Sequence, residues 1–132
     1  MHFAQGLADF ATYFGIGLGF MLLYVVLYLY ATPYREITLI RGDNLPAAVV
    51  LAGALLGFAV PLASALRVAN GLLDVAAWAF MALVAQLAAY ALVALLLKDF
   101  SKRINRGEMA AAVLAGSIHL GVGLINSAAM SF

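Results

Sequence analysis

The sequence lacks thiols and has little charge. Its 132 residues include no cysteine and three prolines, and only 10% of them are Asp, Glu, Lys or Arg. The missing cysteines exclude disulfides, thiolate metal sites, iron–sulfur clusters and cysteine catalysis. The net charge of +1 gives no electrostatic basis for binding nucleic acid. Soluble domains carry about a quarter charged residues, so a disordered chain and an ordinary soluble enzyme are excluded as well.

Apolar side chains make up 67% of the sequence instead. A transmembrane helix needs about 20 mostly apolar residues, and four segments satisfy that requirement. They are Leu7–Ala31, Pro46–Leu66, Leu72–Leu97 and Met109–Met130. The first has no basic leader and no small-residue cleavage site, so it is predicted to be a retained helix and not a signal peptide. The sequence therefore predicts one all-α polytopic domain over residues 1–132, embedded in a lipid bilayer.

The cationic residues indicate how the helices are oriented. The loop between spans one and two holds two of the seven, and the loop between spans three and four holds four. The remaining loop has only Arg67. Cytoplasmic loops carry the excess of Lys and Arg, so both termini are predicted to be periplasmic in a bacterial inner membrane. The basic loops are a predicted docking surface for a peripheral cytoplasmic protein.

Two halves of the chain resemble each other. Gln5–Asp9 matches Asn70–Asp74 at a separation of 65 residues, and Ala47–Gly53 matches Ala110–Gly116 at 63. These matches predict a duplication, with repeat one over residues 5–69 and repeat two over 70–132. Each repeat contains two helices, so both insert the same way round. Their pseudo-twofold axis is therefore expected to run along the membrane normal.

Small residues recur four positions apart in three of the spans. They are Ala11, Gly15 and Gly19 in span one, Gly53 and Gly57 in span two, and Ser117 and Gly121 in span four. This spacing lets helix backbones approach closely in lipid. It predicts helix packing, either inside one subunit or between the subunits of a homo-oligomer. Pro61 predicts a kink within span two.

Two polar side chains lie deep in the predicted spans. Gln86 is 12 residues beyond Asp74, and His119 is 11 residues beyond Glu108. At a rise of ~1.5 Å per residue, both fall near the middle of a core ~30 Å thick. A polar group at that depth needs a partner. The favoured interpretation is a structural hydrogen bond between helices, and the alternative is a proton or cation path past these two side chains.

Carboxylates occur at the outer ends of the spans. Asp9 and Asp74 each follow a Gly-Leu and open a span, which is typical of helix N-capping. The alternative is a carboxylate mouth that attracts cations, with Asn126 among the polar groups of the outer half. Tyr28, Tyr30 and Tyr34 favour an interfacial aromatic belt. The sequence has no nucleophile–base pair, phosphate loop or zinc motif, so no enzyme activity, metal or cofactor is predicted.

The segment from Glu36 to Ser64, followed by Asp74, Trp78 and Gln86, resembles the YjfL-like family of small bacterial inner-membrane proteins. Its most specific part is Asn44, Ala47-Ala48, Leu51, Gly53, Gly57 and Pro61-Leu62. Asp43 stands where the family tends to have glycine, and Pro46 interrupts an alanine run. The resemblance implies four spans in two paired halves and a role in envelope stress or membrane homeostasis. It implies functional positions at Glu36, Asn44, Asp74, Trp78 and Gln86.

Two functions are compatible with these features. The first is a non-enzymatic membrane component that assembles with itself or with a peripheral protein, using its small-residue stripes and basic loops. The second is a channel or transporter for an ion or small solute, with a polar path near Gln86 and His119.

Overall fold

The computed structural model describes residues 2–130, which form six helices and no strand. The helices are α1 (His2–Ala31), α2 (Glu36–Arg41), α3 (Leu45–Val68), α4 (Leu72–Leu96), α5 (Phe100–Asn105) and α6 (Met109–Ala129). Four of them, α1, α3, α4 and α6, are long and apolar enough to cross a membrane. The predicted all-helical fold with four spans is thus confirmed. Residues 1, 131 and 132, the last two of which end the predicted second repeat, lie outside the described residues.

The helix bounds differ from the predicted spans mainly at one place. Helix α1 begins at His2 and not at Leu7, and it continues through Gly6. It ends at Ala31, two residues before Pro33. Helix α3 runs without interruption through Pro61, which is buried. The short helices α2 and α5 were not predicted, since six-residue helices carry too few residues to show a period.

Helices α3 and α6 form the central contact of the bundle. A Cβ built on Gly53 would lie 2.5 Å from the Cα of Gly116, and a Cβ on Gly123 would overlap the backbone of Gly57. Only residues without a side chain allow this approach. We name the contact of these four glycines the glycine seam. Helix α4 packs against both α3 and α6, whereas α1 packs against α3 and α4.

Within this one chain the small residues of α3 pack against a neighbour, whereas those predicted in α1 and α6 do not, and packing between subunits stays a prediction for them. On α6 the seam uses Gly116 and Gly123; Ser117 is exposed, and a side chain added at Gly121 would meet nothing within 4 Å. Gly15 and Gly19 of α1 likewise have open space around them. All three helices have small residues four positions apart, but only the face of a helix that is turned toward a neighbour can use them for packing.

Two of the three connections between spans, the α1–α3 and α4–α6 connectors, end with the same backbone design. In each, a six-residue helix is followed by a left-handed residue, Asp43 with φ 65° in the first and Gly107 with φ 79° in the second. The backbone amide of the following residue then donates to a carbonyl oxygen in the short helix. These bonds run from Asn44 N to Leu39 O at 2.9 Å and from Glu108 N to Arg103 O at 3.0 Å. Glycine suits this left-handed backbone, and Asp is one of the few other residues that tolerate it.

Candidate functional site

Gln86 and His119 lie together at the centre of the bundle, and neither has any exposed surface. The Gln86 amide nitrogen donates to the carbonyl oxygen of Gly57 at 2.9 Å and to that of His119 at 3.0 Å. Its oxygen Oε1 is 2.9 Å from His119 Nδ1. Because Oε1 can only accept, the Nδ1 of His119 is the donor. One side chain of α4 thus ties α3 to α6 through three hydrogen bonds. We name these three residues the amide clamp.

The amide clamp depends on the glycine seam. A Cβ on Gly57 would overlap the carbonyl of His119 and lie 3.0 Å from the Gln86 amide nitrogen. The missing side chain therefore opens the carbonyl of Gly57 to Gln86. The residue four positions after Gly57 is Pro61, which has no N–H to donate, so the carbonyl of Gly57 lacks its usual helix donor and accepts from Gln86 instead. The other ring nitrogen of His119, Nε2, is buried and has no hydrogen-bond partner among the described residues.

Tyrosines surround the amide clamp on the side of α1. The ring of Tyr28 stands edge-on to His119 with ring centroids 5.7 Å apart, and it meets Tyr90 at 5.8 Å. Tyr24, one turn earlier, stacks on Phe58 at 4.6 Å. The predicted aromatic belt is therefore wrong for Tyr28, which is fully buried.

The belt is wrong for Tyr34 as well, which is 4% exposed, whereas Tyr30 is 86% exposed. The spacing of Tyr24 and Tyr28, four apart on one helix face, is the signal that sequence reasoning missed. The hydroxyl of Tyr24 has no hydrogen-bond partner among the described residues, whereas the hydroxyls of Tyr28 and Tyr34 interact with each other.

Glu36 is a buried acid at the start of α2, with 2% of its surface exposed. Its carboxylate accepts a hydrogen bond from the hydroxyl of Thr32. Its charge also acts on the hydroxyls of Tyr28 and Tyr34. Burial raises the pKa of the Glu36 carboxyl above its ordinary value, and the Thr32 hydrogen bond offsets part of that rise. No described Lys or Arg forms an ion pair with it.

The N-capping interpretation of Asp9 is wrong. Because α1 begins at His2, Asp9 lies one to two turns inside it, is exposed, and accepts a hydrogen bond from the Gln5 side chain at 3.1 Å. Asp74 is the third residue of α4 and not its N-cap, which is Gly71. Its carboxylate nevertheless accepts the backbone amide of Asn70 at 3.0 Å, so it does satisfy a donor at the helix start.

Asn44 and Asn126 have different surroundings. Asn44 caps α3 by accepting the amide of Ala47 at 2.9 Å, and its own amide nitrogen donates to the carbonyl of Ile104 at 3.1 Å. It thereby joins α3 to α5. Asn126 is half-buried on α6, and its amide nitrogen has no partner among residues 2–130. Trp78 is half-buried and packs against the core.

Polar contacts continue along the α3–α6 interface toward its far end. The hydroxyls of Ser64 and Ser127 are hydrogen-bonded to each other, and Arg67 donates to Ser64 at 3.1 Å. At the opposite end, Arg103 and Arg106 bind Glu108 at 2.9 and 2.8 Å. Arg103 in particular holds the pKa of Glu108 below its usual range. Part of the basic charge predicted for docking is therefore neutralised within the loop.

No group of three or more His, Asp or Glu side chains gathers to hold a metal ion in the described part of the chain. Small apolar cavities lie between α1 and α3 and on the outside of α1. A more polar cavity of about 250 Å³ opens beside Glu36 and is bordered by Thr32, Tyr34 and Arg35. The strongest concentration of buried polar atoms is the amide clamp with its tyrosine neighbours.

Known proteins resemble this chain along its whole length. The family model described as Domain of Unknown Function (DUF350) matches residues 1–130. The UPF0719 inner membrane protein YjfL of Escherichia coli strain K12 is 35% identical over 132 residues, which cover both chains completely. The YjfL protein of Escherichia coli O157:H7 matches to the same extent. No solved structure matches the chain. The resemblance predicted from the sequence is confirmed.

Proposed function

The chain belongs to the DUF350 family and is a multi-pass inner-membrane protein, and from that premise we propose that it is a non-enzymatic membrane component that acts as a homo-oligomer. The observation that carries the proposal is the exposure of α1. Of its 30 residues, only Gly17, Tyr24 and Tyr28 are buried. A helix that packs so little in its own subunit is available to a second copy.

The surface of α1 suits another helix of this same chain. In lipid, apolar area alone does not drive helices together, and close approach at small residues does. The chain already uses that device in its glycine seam. Gly15 and Gly19 of α1 and Gly121 of α6 form further small-residue positions with open space around them. The segment from 2 to 31 carries one charged residue, Asp9. Two copies of this helix would therefore bring no like charges together along most of its length.

We also propose the two-repeat arrangement over residues 5–69 and 70–132. The shared design of the two connectors supports it. So do two contacts along the seam, Gly53 with Gly116 and Ser64 with Ser127, each between residues 63 positions apart. In two parallel repeats, equivalent residues meet only at the axis that relates them. The axis would then run between α3 and α6.

Orientation and partners follow from the charge pattern. With the connectors on the cytoplasmic side and both termini periplasmic, Lys98 and Lys102 would be exposed to the cytoplasm. A peripheral cytoplasmic protein would dock there, and the assembly would serve the envelope-stress or membrane-homeostasis role that the resemblance implies. The absence of enzyme activity and of a cofactor is part of this proposal.

A channel or transporter is the second candidate. One observation favours it: the Nε2 of His119 is buried without a partner beside Tyr28, an arrangement that a proton or ion path would use. In the amide clamp, however, all the polar atoms of the Gln86 side chain are engaged with helix partners. Flux measurements on variants of the amide clamp separate the two candidates.

Cysteine cross-linking tests the oligomer. The chain has no cysteine, so a single Gly19→Cys replacement reports only on contacts of that position. Oxidation in native membranes is expected to give a covalent dimer, because the face of α1 that carries Gly19 would meet a second copy. The matched control is Val84→Cys on α4, which the proposed repeat places at the same depth and which is also exposed. Equal cross-linking at both positions, or none at Gly19 in a folded protein, would overturn the proposed interface.

A further inference from the structure

We propose that Glu36 is a proton-binding site on the side of the connectors, and that loss of its proton releases α2 from the bundle. The proposal is independent of the oligomer and of the second candidate function. It begins with the way α2 is held. Among the six residues of α2 only Glu36 is fully buried, Leu39 and Ile40 are half-buried against the core, and the N-cap residue Arg35 makes no side-chain capping bond. A helix whose buried anchor is an acid docks with a strength that depends on the charge of that acid.

The surroundings of Glu36 favour the neutral carboxyl. Facing it are Tyr28 from α1, Tyr90 from α4 and Tyr34 from the preceding connection. None of these supplies a positive charge. A buried carboxylate without a cationic partner is costly, and the usual outcome is protonation. The Thr32 hydroxyl and the backbone amide of Glu36 itself donate to the carboxylate, and they offset only part of the effect of burial.

The remaining charged groups near this site lie outside it. Helix α3, which packs on α2, carries Arg67 as its only charged residue, at its opposite end. Helix α5 presents the apolar ring of Phe100, whose centroid is 5.9 Å from that of Tyr34. Arg35 is exposed. Once α2 leaves the bundle, the carboxylate would gain both water and this neighbouring guanidinium.

Protons have a route to the carboxyl. The cavity of about 250 Å³ beside α2 is bordered by Thr32, Tyr34, Arg35 and Glu36. A volume of that size holds several waters, since each occupies ~30 Å³ in the liquid. Deprotonation then leaves the carboxylate on Glu36 and passes the proton to this water, so no other acceptor is needed.

The second connector provides a natural comparison. Its helix α5 has the same length and turn, and at the position equivalent to Glu36, 64 residues later, it has Phe100. Phe100 and Ile104 are buried anchors with no charge to titrate. Docking of α2 is therefore expected to depend on pH, and docking of α5 is not.

The direction of the effect follows from the raised pKa. A carboxyl whose pKa is higher in the docked state binds its proton more tightly there. Docking is then complete below the ordinary carboxyl pKa of 4.5 and is lost as pH rises through the raised value. Replacing the acid by its neutral amide analogue should hold α2 docked at every pH.

Hydrogen–deuterium exchange on the full-length protein in lipid nanodiscs tests this. After correction for the intrinsic pH dependence, protection of the Leu39 amide is expected to fall several-fold as pH rises through the raised carboxyl pKa, while the equivalent amide of Arg103 stays constant. Glu36→Gln should remove the pH dependence of α2. Thr32→Val should move the transition to higher pH, because it removes the bond that favours the carboxylate.

Infrared spectroscopy supplies a second readout that does not depend on α2 moving. A carbonyl band of a protonated carboxylic acid should titrate in the wild-type protein and be missing in Glu36→Gln but present in Glu108→Gln, whose carboxylate is exposed. Constant protection of α2 at all pH values would overturn the release. A missing carboxylic acid band, or protection restored by sodium or an alkylammonium ion at high pH, would overturn the proton site itself.

Discussion

Helices α3 and α1 carry glycines at the same four-residue spacing and reach opposite degrees of packing. In the seam, backbones of α3 and α6 touch, and α3 buries ten of its 24 residues. In α1, three of 30 residues are buried, and a Cβ added at Gly15 or Gly19 would meet nothing within 4 Å. Every face of an apolar helix is acceptable to lipid, so apolar pattern does not say which face meets protein. The difference teaches that small-residue spacing marks a capacity for close approach, and that the neighbour decides whether it is used.

The largest expected loss of stability comes from a substitution that disrupts the glycine seam. Gly57→Ala places a methyl group against the backbone of His119 and against the Gln86 amide, and neither can move without separating helices. Overpacking costs ~1–3 kcal/mol, occasionally more, and a backbone clash belongs at the upper end, about 3 kcal/mol. Unfolding in mixed micelles would measure it. The control is Gly19→Ala in α1, which should lose no stability in the dissociated monomer, because its Cβ enters open space within one subunit.

If Gly57→Ala and Gly19→Ala are both as stable as the wild-type protein, the glycine seam is not a closer contact than the surface of α1. If both are destabilised, α1 already meets a neighbour under the conditions of the experiment. Cross-linking at Gly19 then identifies that neighbour as a second copy or excludes it.

The next effect concerns the amide clamp. Gln86→Leu removes three hydrogen bonds, and since single interhelical bonds in membranes contribute roughly 1 kcal/mol or less, a loss of about 2 kcal/mol is expected. His119→Leu should cost less in the Gln86→Leu background than alone, because the side chains bind each other. A double-mutant cycle from unfolding data would show this coupling. Gln5→Leu on exposed α1 is the control and should have little effect.

The same variants discriminate between the proposed functions. In liposomes, a structural clamp predicts that no specific ion or proton flux distinguishes wild type from a folded Gln86→Leu/His119→Leu double variant. A flux present in wild type and abolished in that variant would favour the channel and would place its path through the amide clamp.

Much of the fold was predictable because it rests on long-range averages. A run of about 20 apolar residues crosses a membrane as a helix, because lipid offers the backbone no hydrogen-bond partners. Four such runs stood out against the charged loops. Duplicated motifs predicted two halves, and that arrangement remains a prediction. The depth of Gln86 and His119 was predictable from helical rise alone, so their closeness agrees with simple geometry.

What the sequence did not predict depends on rotation of helices about their axes. Tyr28 and Tyr30 are two residues apart on α1, yet the first is buried and the second almost fully exposed. Hydropathy treats both as interfacial aromatics. Predicting that Gly116 and not Ser117 of α6 meets α3 likewise requires the rotation of α6 about its axis. Side chains that tolerate lipid on every face do not determine that rotation. Glu36 could be singled out only through the family resemblance.

The smallest expected effect compares the two connectors. Asp43 and Gly107 both have a left-handed backbone in equivalent turns. A side chain in that conformation costs roughly 1 kcal/mol, so Asp43→Gly should raise stability by up to about that amount, and Gly107→Asp should lower it. Chemical denaturation of each variant measures the sign. The two turns have the same pattern of hydrogen bonds. Stability changes of opposite sign would therefore indicate that the connectors are energetically equivalent apart from this residue. Equal signs would mean that the Asp43 side chain has a role that its backbone does not reveal, and the comparison between the two repeats would then have to include it.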